Sequence, residues 1–280
     1  MSTPGQTSEH YPTIALSANF ADALASREGV TRVIDALSAE RSAEMPDGRV
    51  RSIDQFAVPG DAAAILERAA RAAPDGCVVE TGCASALSTL HICRGRMDAG
   101  RLDAANLVHA MDPNQTRHFE SMGIRHVRRA GLEGVCRVHD RAAHEVLPEL
   151  LAAGTRAGFA FIDGMHQMDY VMLEAFYIDR MLGVGSVLAI HDLWMPALQH
   201  FACFWVANRG YEPVTVCGEG SAASFQTQGC ESPNRGVGDP GAAPAFFRRR
   251  LLEHVDRSVL LLRKTGEDGR AWDEFREYLL

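Results

Sequence analysis

No apolar run in this 280-residue chain approaches the ~20 residues needed to span a bilayer, so no membrane partner is expected. The first ten residues, Met1 to His10, are polar and lack the apolar core of a secretory signal. Positive charge is in deficit: 28 Lys and Arg against 36 Asp and Glu give a net charge of −8. A nucleic-acid surface needs a basic stripe to neutralise phosphates, and none is present. The nearest approach, Arg248-Arg249-Arg250 within Phe246 to Leu252, reads as the solvated face of an amphipathic helix. Paired cysteines are also missing. The seven cysteines are scattered, odd in number and form no C-x-x-C, which removes zinc-finger and dithiol readings. An odd count without a secretion signal points to reduced thiols in the cytoplasm.

What is present is a rhythm. Residues 1–54 read as an N-terminal helical extension, with helical patterns around Phe20–Leu24 and Val30–Leu37 and a polar break at Met45-Pro46-Asp47-Gly48. A helix is expected from an Asp61 N-cap through Ala73. From there short apolar strands alternate with helices: strands at Cys77–Glu80, Leu107–Asp112, Val135–His139, Gly158–Asp163 and Ser186–Asp192, with helices at Leu87–Met97, Asn114–Gly123, Ala142–Ala153 and Tyr170–Leu182. Strands that are apolar on both faces and separated by helices imply a doubly wound α/β fold with a parallel sheet. A helix at Phe201–Asn208 and extended segments at Tyr211–Cys217, Ala223–Gln228 and Val259–Arg263 follow; the sheet is expected to hold seven strands, the last ones antiparallel. The Gly, Pro and Ser-rich stretch 229–244 is a loop or lid candidate within a domain spanning 55–280.

Ligands of such sheets bind beyond the carboxyl ends of the strands. Here those ends carry Glu80, Asp112, Asp163, His191 and Asp192. At the first, Glu80-Thr81-Gly82-Cys83-Ala84-Ser85-Ala86-Leu87-Ser88 turns a strand into a helix, with Gly82 placed for close approach of the backbone to a ligand. The helix start offers N–H groups to a carboxylate. Thirty residues on, Asp112 could take both hydroxyls of a ribose.

This segment resembles the first motif of class I S-adenosylmethionine-dependent methyltransferases, in a bacterial form reading E-x-G-x-x-x-G-x-S. Glu80, Gly82 and Ser88 match, and Ala86 stands where that motif has its second glycine. The resemblance implies a Rossmann-like fold and a cofactor site formed by Glu80, Gly82, Cys83, Ala84, Ser88, Asp112, Asp140, Arg141 and Asp163. A nicotinamide dinucleotide would instead want G-x-G-x-x-G for its pyrophosphate, and this loop has one glycine.

Phe161-Ile162-Asp163-Gly164-Met165-His166, followed by His191-Asp192, resembles small-molecule O-methyltransferases with F-I-D-G-x-H and H-D blocks. Relatives of that kind hold magnesium at these two strand ends. Carried over, Asp163, His191 and Asp192 become metal ligands, and the histidine opens the site to another divalent cation. A hydroxyl acceptor must lose a proton. His166 is the first candidate for base and His191 the second, with Asp163 beside them. The structural alternatives are a strand-ending turn at Asp163-Gly164, a locally bonded His166 and a helix-start pair at His191-Asp192. Trp194, Met195 and Pro196 would either wall an acceptor pocket or pack in the core. The expected activity is methyl transfer to a small molecule, most directly to oxygen, with nitrogen or a non-catalytic cofactor-binding role as alternatives. Family habit adds a homodimer through the N-terminal segment.

Overall fold

The computed structural model describes residues 26–218, 223–227 and 251–278. The expected helix at Phe20–Leu24, the basic cluster at Arg248–Arg250 and the 229–244 loop fall outside them.

Helix α1 (Arg27–Glu40) is capped by Ser26, whose Oγ accepts from Gly29 N at 3.0 Å, and buries Val30, Val33, Ile34 and Leu37. The polar break expected at Met45–Gly48 is the turn of a hairpin, β1 (Ser42–Glu44) with β2 (Val50–Ser52). The described part of the extension is therefore one helix plus a hairpin. Helix α2 (Gly60–Ala72) is entered through Pro59, not Asp61. Asp61 lies inside the first turn, where its carboxylate accepts from Ala62 N.

The alternation then runs β3 (Cys77–Thr81), α3 (Leu87–Asp98), β4 (Val108–Met111), α4 (Met122–Arg129), β5 (Cys136–His139), α5 (Ala143–Ala152), β6 (Ala157–Ile162), α6 (Met168–Met181) and β7 (Leu182–Ile190). After it come α7 (Pro196–Asn208), β8 (Tyr211–Cys217), β9 (Ser224–Gln226) and β10 (Leu260–Lys264). The sheet order is β5-β4-β3-β6-β7-β10-β8-β9. Strands β3 to β7 pair in parallel; β10 inserts antiparallel between β7 and β8. Since β10 opposes both neighbours, β8 runs in the same sense as β7, and of the later strands only β10 and β9 are reversed. The eighth strand, β9, is a three-residue edge.

Helix α4 begins eight residues later than expected. Asp112 Oδ1 accepts from Asn114 N at 2.9 Å, forming a side-chain turn that competes with helix. Glu120 and Ser121 then take left-handed backbone, and α4 starts only after them.

Alternate strand residues feed opposite faces. Val78, Phe159, Phe161, Val187 and Ala189 join α1, α2 and α3 in one core. Val79, Ala160, Ile162, Leu188 and Ile190 join α5, α6 and α7 in the other. Strand order reverses between β3 and β6, which opens a crevice at their carboxyl ends. Among the described residues no helix is long and apolar enough to cross a membrane.

Candidate active site

The first half of the site is the loop between β3 and α3. Glu80, at the end of the central strand, is fully buried. Its Oε1 accepts from Ser88 Oγ at 2.5 Å, and its Oε2 is buried with no partner. Burial pushes the Glu80 carboxyl up to about 7, Ser88 and Thr89 oppose the shift, and the charges of Asp163 and Asp112 add to it. Glu80 and Ser88 thus meet each other beneath the loop.

Gly82 has φ +78°, and a Cβ there would strike the Asp163 carbonyl and come within 2.6 Å of Gly164 Cα. In the structure this glycine permits the close approach of two strand-end loops of the chain itself. Ala84 and Ala86 also take positive φ, at 39° and 63°. Left-handed backbone at Ala86 explains why glycine suits that motif position.

Asp112 follows β4 and is tied into the same loop. Its Oδ2 accepts from Ala84 N at 2.8 Å. Its Oδ1 accepts from Asn114 N at 2.9 Å and its Oδ2 also from Gln115 Nε2 at 3.5 Å, so of the about four hydrogen bonds an ionised carboxylate accepts, about one remains for a hydroxyl. Gln115, fully buried, donates from Nε2 to the Ala84 carbonyl at 2.8 Å and accepts from Gly123 N at 3.1 Å. It also lies 3.5 Å from Cys83 Sγ, which is buried in the loop. Asp140, after β5, accepts from the Thr116 hydroxyl and backbone N–H. Arg141 turns to the surface and pairs with Glu149 at 2.8 Å, apart from this group.

The second half sits one and two strands over. Asp163 N donates to Thr81 O at 2.9 Å, and His191 N donates to Ile162 O at 3.1 Å, so both turns are fixed to the sheet. His191 Nδ1 lies 3.0 Å from Asp163 Oδ1 and 3.5 Å from Asp192 Oδ1. His166 Nε2 lies 3.3 Å from Asp192 Oδ2 and 3.5 Å from Asp163 Oδ1, near enough for charge attraction but without an aligned hydrogen bond. Asp192 has φ +54°, and its Oδ1 also accepts from Trp194 Nε1 at 2.9 Å. Asp163, foremost by its contact with the ring, raises the His166 imidazolium above histidine's ordinary range, against burial. For His191 burial is the largest influence and disfavours charge; the combined pull of Asp163 and Asp192 overcomes it and raises the group.

The four residues expected to carry chemistry are thus brought together. Among the described residues, Asp163, His191 and Asp192 form the one set of three whose ligand atoms lie within 4.8 Å of one another. Two carboxylates and an imidazole fit a divalent ion of the manganese or zinc kind better than magnesium, which prefers oxygen throughout. Bound there, such an ion would take the place of the direct His191 Nδ1–Asp163 Oδ1 contact. Trp194 is 69% exposed and Met165 51% exposed, which favours the pocket-wall alternative over core packing for Trp194.

Residues 79–193 match the family model described as a methyltransferase domain. The match covers less than half of the chain. It begins on β3 and ends just past Asp192, so it encloses both halves of the site; α1, α2, the hairpin and strands β8 to β10 lie outside the matched stretch. No curated protein matches the chain. Solved structures similar to it include the O-methyltransferase TomG from Streptomyces achromogenes, involved in Tomaymycin synthesis and in complex with SAM. It is 16% identical, with 85% of this chain and 90% of that one covered and a TM-score of 0.45. An O-methyltransferase from Bacillus cereus in complex with SAH is 15% identical, covering 71% and 87%, at a TM-score of 0.48. A putative O-methyltransferase from Klebsiella pneumoniae is 14% identical, covering 85% and 90%, at 0.49.

Two residues of the matched stretch escaped the sequence reading. Gln115 carries no motif, and only its complete burial marks it. Glu174 lies on the buried stripe of α6, where an acid among Val171, Ala175 and Ile178 was the available signal.

Proposed function

We propose that this chain transfers a methyl group from S-adenosylmethionine to the hydroxyl of a small molecule. The observation that carries the reading is the convergence, within the matched stretch, of an acid-bearing loop at β3/β4 with an Asp-His-Asp-His cluster at β6/β7. Asp112 would take a ribose hydroxyl, and the Cys83–Ala84 backbone and Asp140 would border the nucleoside. Glu80 and Ser88 would support the loop from below.

The bound sulfonium supplies an electrophilic methyl carbon. What remains for the protein is to hold an oxygen in line with it and to take the oxygen's proton. His166, with an exposed edge and a raised affinity for protons, is the base; Asp163 and Asp192 stabilise the imidazolium that results. Asp163, His191 and Asp192 would hold a divalent cation, whose charge would favour the ionised acceptor. Trp194 and Met165 would line the acceptor's entry.

Calorimetric titration with S-adenosylhomocysteine, followed by turnover of labelled donor with phenol, sugar and amine panels, tests the proposal. Micromolar binding and label on an oxygen, faster with manganese or magnesium in wild type but not in Asp192→Ala, are expected. No binding by the wild type, with or without a divalent cation, would overturn it. Label on nitrogen would replace the acceptor.

A further inference from the structure

Helix α6 buries Val171, Glu174, Ala175 and Ile178 on one stripe. A carboxylate in such a row is costly to bury unless something answers it. Glu174 Oε2 accepts a hydrogen bond from Thr81 Oγ1 at 2.7 Å, and both residues are buried. Burial lifts the Glu174 carboxyl to about 7, while the Thr81 hydroxyl and the charge of His166 pull it down.

Thr81 stands at a joint. It is the last residue of β3, its carbonyl accepts from Asp163 N at 2.9 Å, and its neighbour Gly82 is packed against the Asp163–Gly164 backbone. A Cβ on Gly164 would lie 3.5 Å from Thr81 Oγ1. The loop that begins at Gly82 and the turn that carries Asp163 and His166 therefore meet at Thr81. Helix α6 begins at Met168, two residues past His166, so what fixes α6 against β3 also fixes the height of His166. A pair of apolar side chains would fill the same space but would not hold a direction; a hydroxyl on a carboxylate does.

We propose that Thr81 and Glu174 form a positioning pair that sets the spacing between the β3–α3 loop and the Asp163–His166 turn. Neither touches reacting atoms. The consequence for the methyl donor rests on the function proposed above, whereas the mechanical claim does not.

Two measurements on the full chain separate them. Amide hydrogen exchange of the unliganded protein reads the joint directly, and S-adenosylhomocysteine titration reads the donor site. Thr81→Val and Glu174→Leu should speed exchange at Gly82–Ala86 and Asp163–His166 at least tenfold over the change at β4 and β7. Thr81→Ser keeps the hydroxyl and Glu174→Gln keeps an acceptor oxygen, so both should stay within threefold of wild type. Binding should weaken fivefold or more in the first two variants, recover in the second two, and be no weaker in the double variant than in the worse single one. Thr81→Ala replaces the valine variant if that fails to fold. Uniform acceleration across the sheet, or no recovery with Ser and Gln, would reduce the pair to packing and overturn the inference. A wild type that binds no S-adenosylhomocysteine would overturn the donor assignment alone, and exchange would still decide the positioning claim.

Discussion

Replacing Glu80 with glutamine should reverse its effect on stability between acid and alkaline pH. The folded chain holds the Glu80 carboxyl at about 7 against an ordinary 4.5, first because the side chain is fully buried. A raised acid favours folding while protonated, so its contribution is present near pH 4.5 and is lost as pH climbs to about 7. Going from 4.5 to about 7 at 1.36 kcal/mol per pH unit amounts to about 3 kcal/mol. Glutamine keeps an oxygen for the Ser88 hydroxyl but adds a buried N–H, at a cost of about 1 kcal/mol. The variant should therefore be about 1 kcal/mol less stable than wild type at pH 4.5 and about 2 kcal/mol more stable at pH 8. Urea titration of the unliganded protein at both pH values, with unchanged slopes against denaturant, measures the difference. A stability difference that does not move with pH would refute the reasoning. It would mean that the unpartnered Oε2 is answered by a group that stabilises its charge.

Gly82→Ala forces a Cβ into the Asp163–Gly164 backbone at φ +78°, and neither loop can give without moving the site; a loss above about 3 kcal/mol is expected by thermal melting. His109, buried beside His139 and Arg137, is held down to about 4 by burial first. A depressed histidine makes the fold lose stability as pH falls from about 6.5 to 4, by about 3 kcal/mol, and His109→Gln should flatten that part of an acid denaturation curve. His166 is raised by Asp163, so if it is the base, kcat/KM without added metal should rise with pH through a value above 6.5. His166→Asn should remove that limb and at least a hundredfold of the rate while leaving S-adenosylhomocysteine affinity within twofold.

The parallel core of this fold was legible because its strands are buried on both faces. Strands β3 and β6 have no exposed residue, so they read as unbroken apolar runs, and the polar residue that ends each run marks the site edge. Asp163, His191 and Asp192 could be found that way; His166, three residues past Asp163, came from the F-I-D-G-x-H resemblance. Insertion of β10 between β7 and β8 could not, since strand neighbours far apart in sequence leave no local period. The β1–β2 hairpin is three residues a side and was lost in what looked like a polar break. Helix α4 was misplaced because a side-chain turn at Asp112 outcompetes the helical pattern after it. Glu174 and Gln115 were missed for a shared reason. Each is polar in a buried place, and its meaning resides in a partner on another element: Thr81 for one, Ala84 and Gly123 for the other.

The β3–α3 loop shows why such partners matter to function. Gly82, Ala84 and Ala86 all take positive φ, and two of these are alanines. Left-handed backbone costs an alanine about 1–2 kcal/mol, so the loop keeps this shape only if its surroundings impose it. Four contacts do so. Asp112 accepts from Ala84 N, Gln115 donates to the Ala84 carbonyl, His126 Nδ1 donates to Ser85 O at 2.8 Å, and Ala86 N donates to Cys83 O. Asp112 therefore has two jobs, shaping the loop and offering oxygens to a ribose. An Asp112→Ala variant that lost tenfold in S-adenosylhomocysteine affinity, about 1.4 kcal/mol, would not say which job had failed. Gln115→Leu loosens the same loop and keeps the carboxylate, removing only its long 3.5 Å contact with Gln115 Nε2. If Asp112 contacts the ligand, its substitution should cost several times more affinity than that of Gln115; equal losses would assign the whole effect to loop shape.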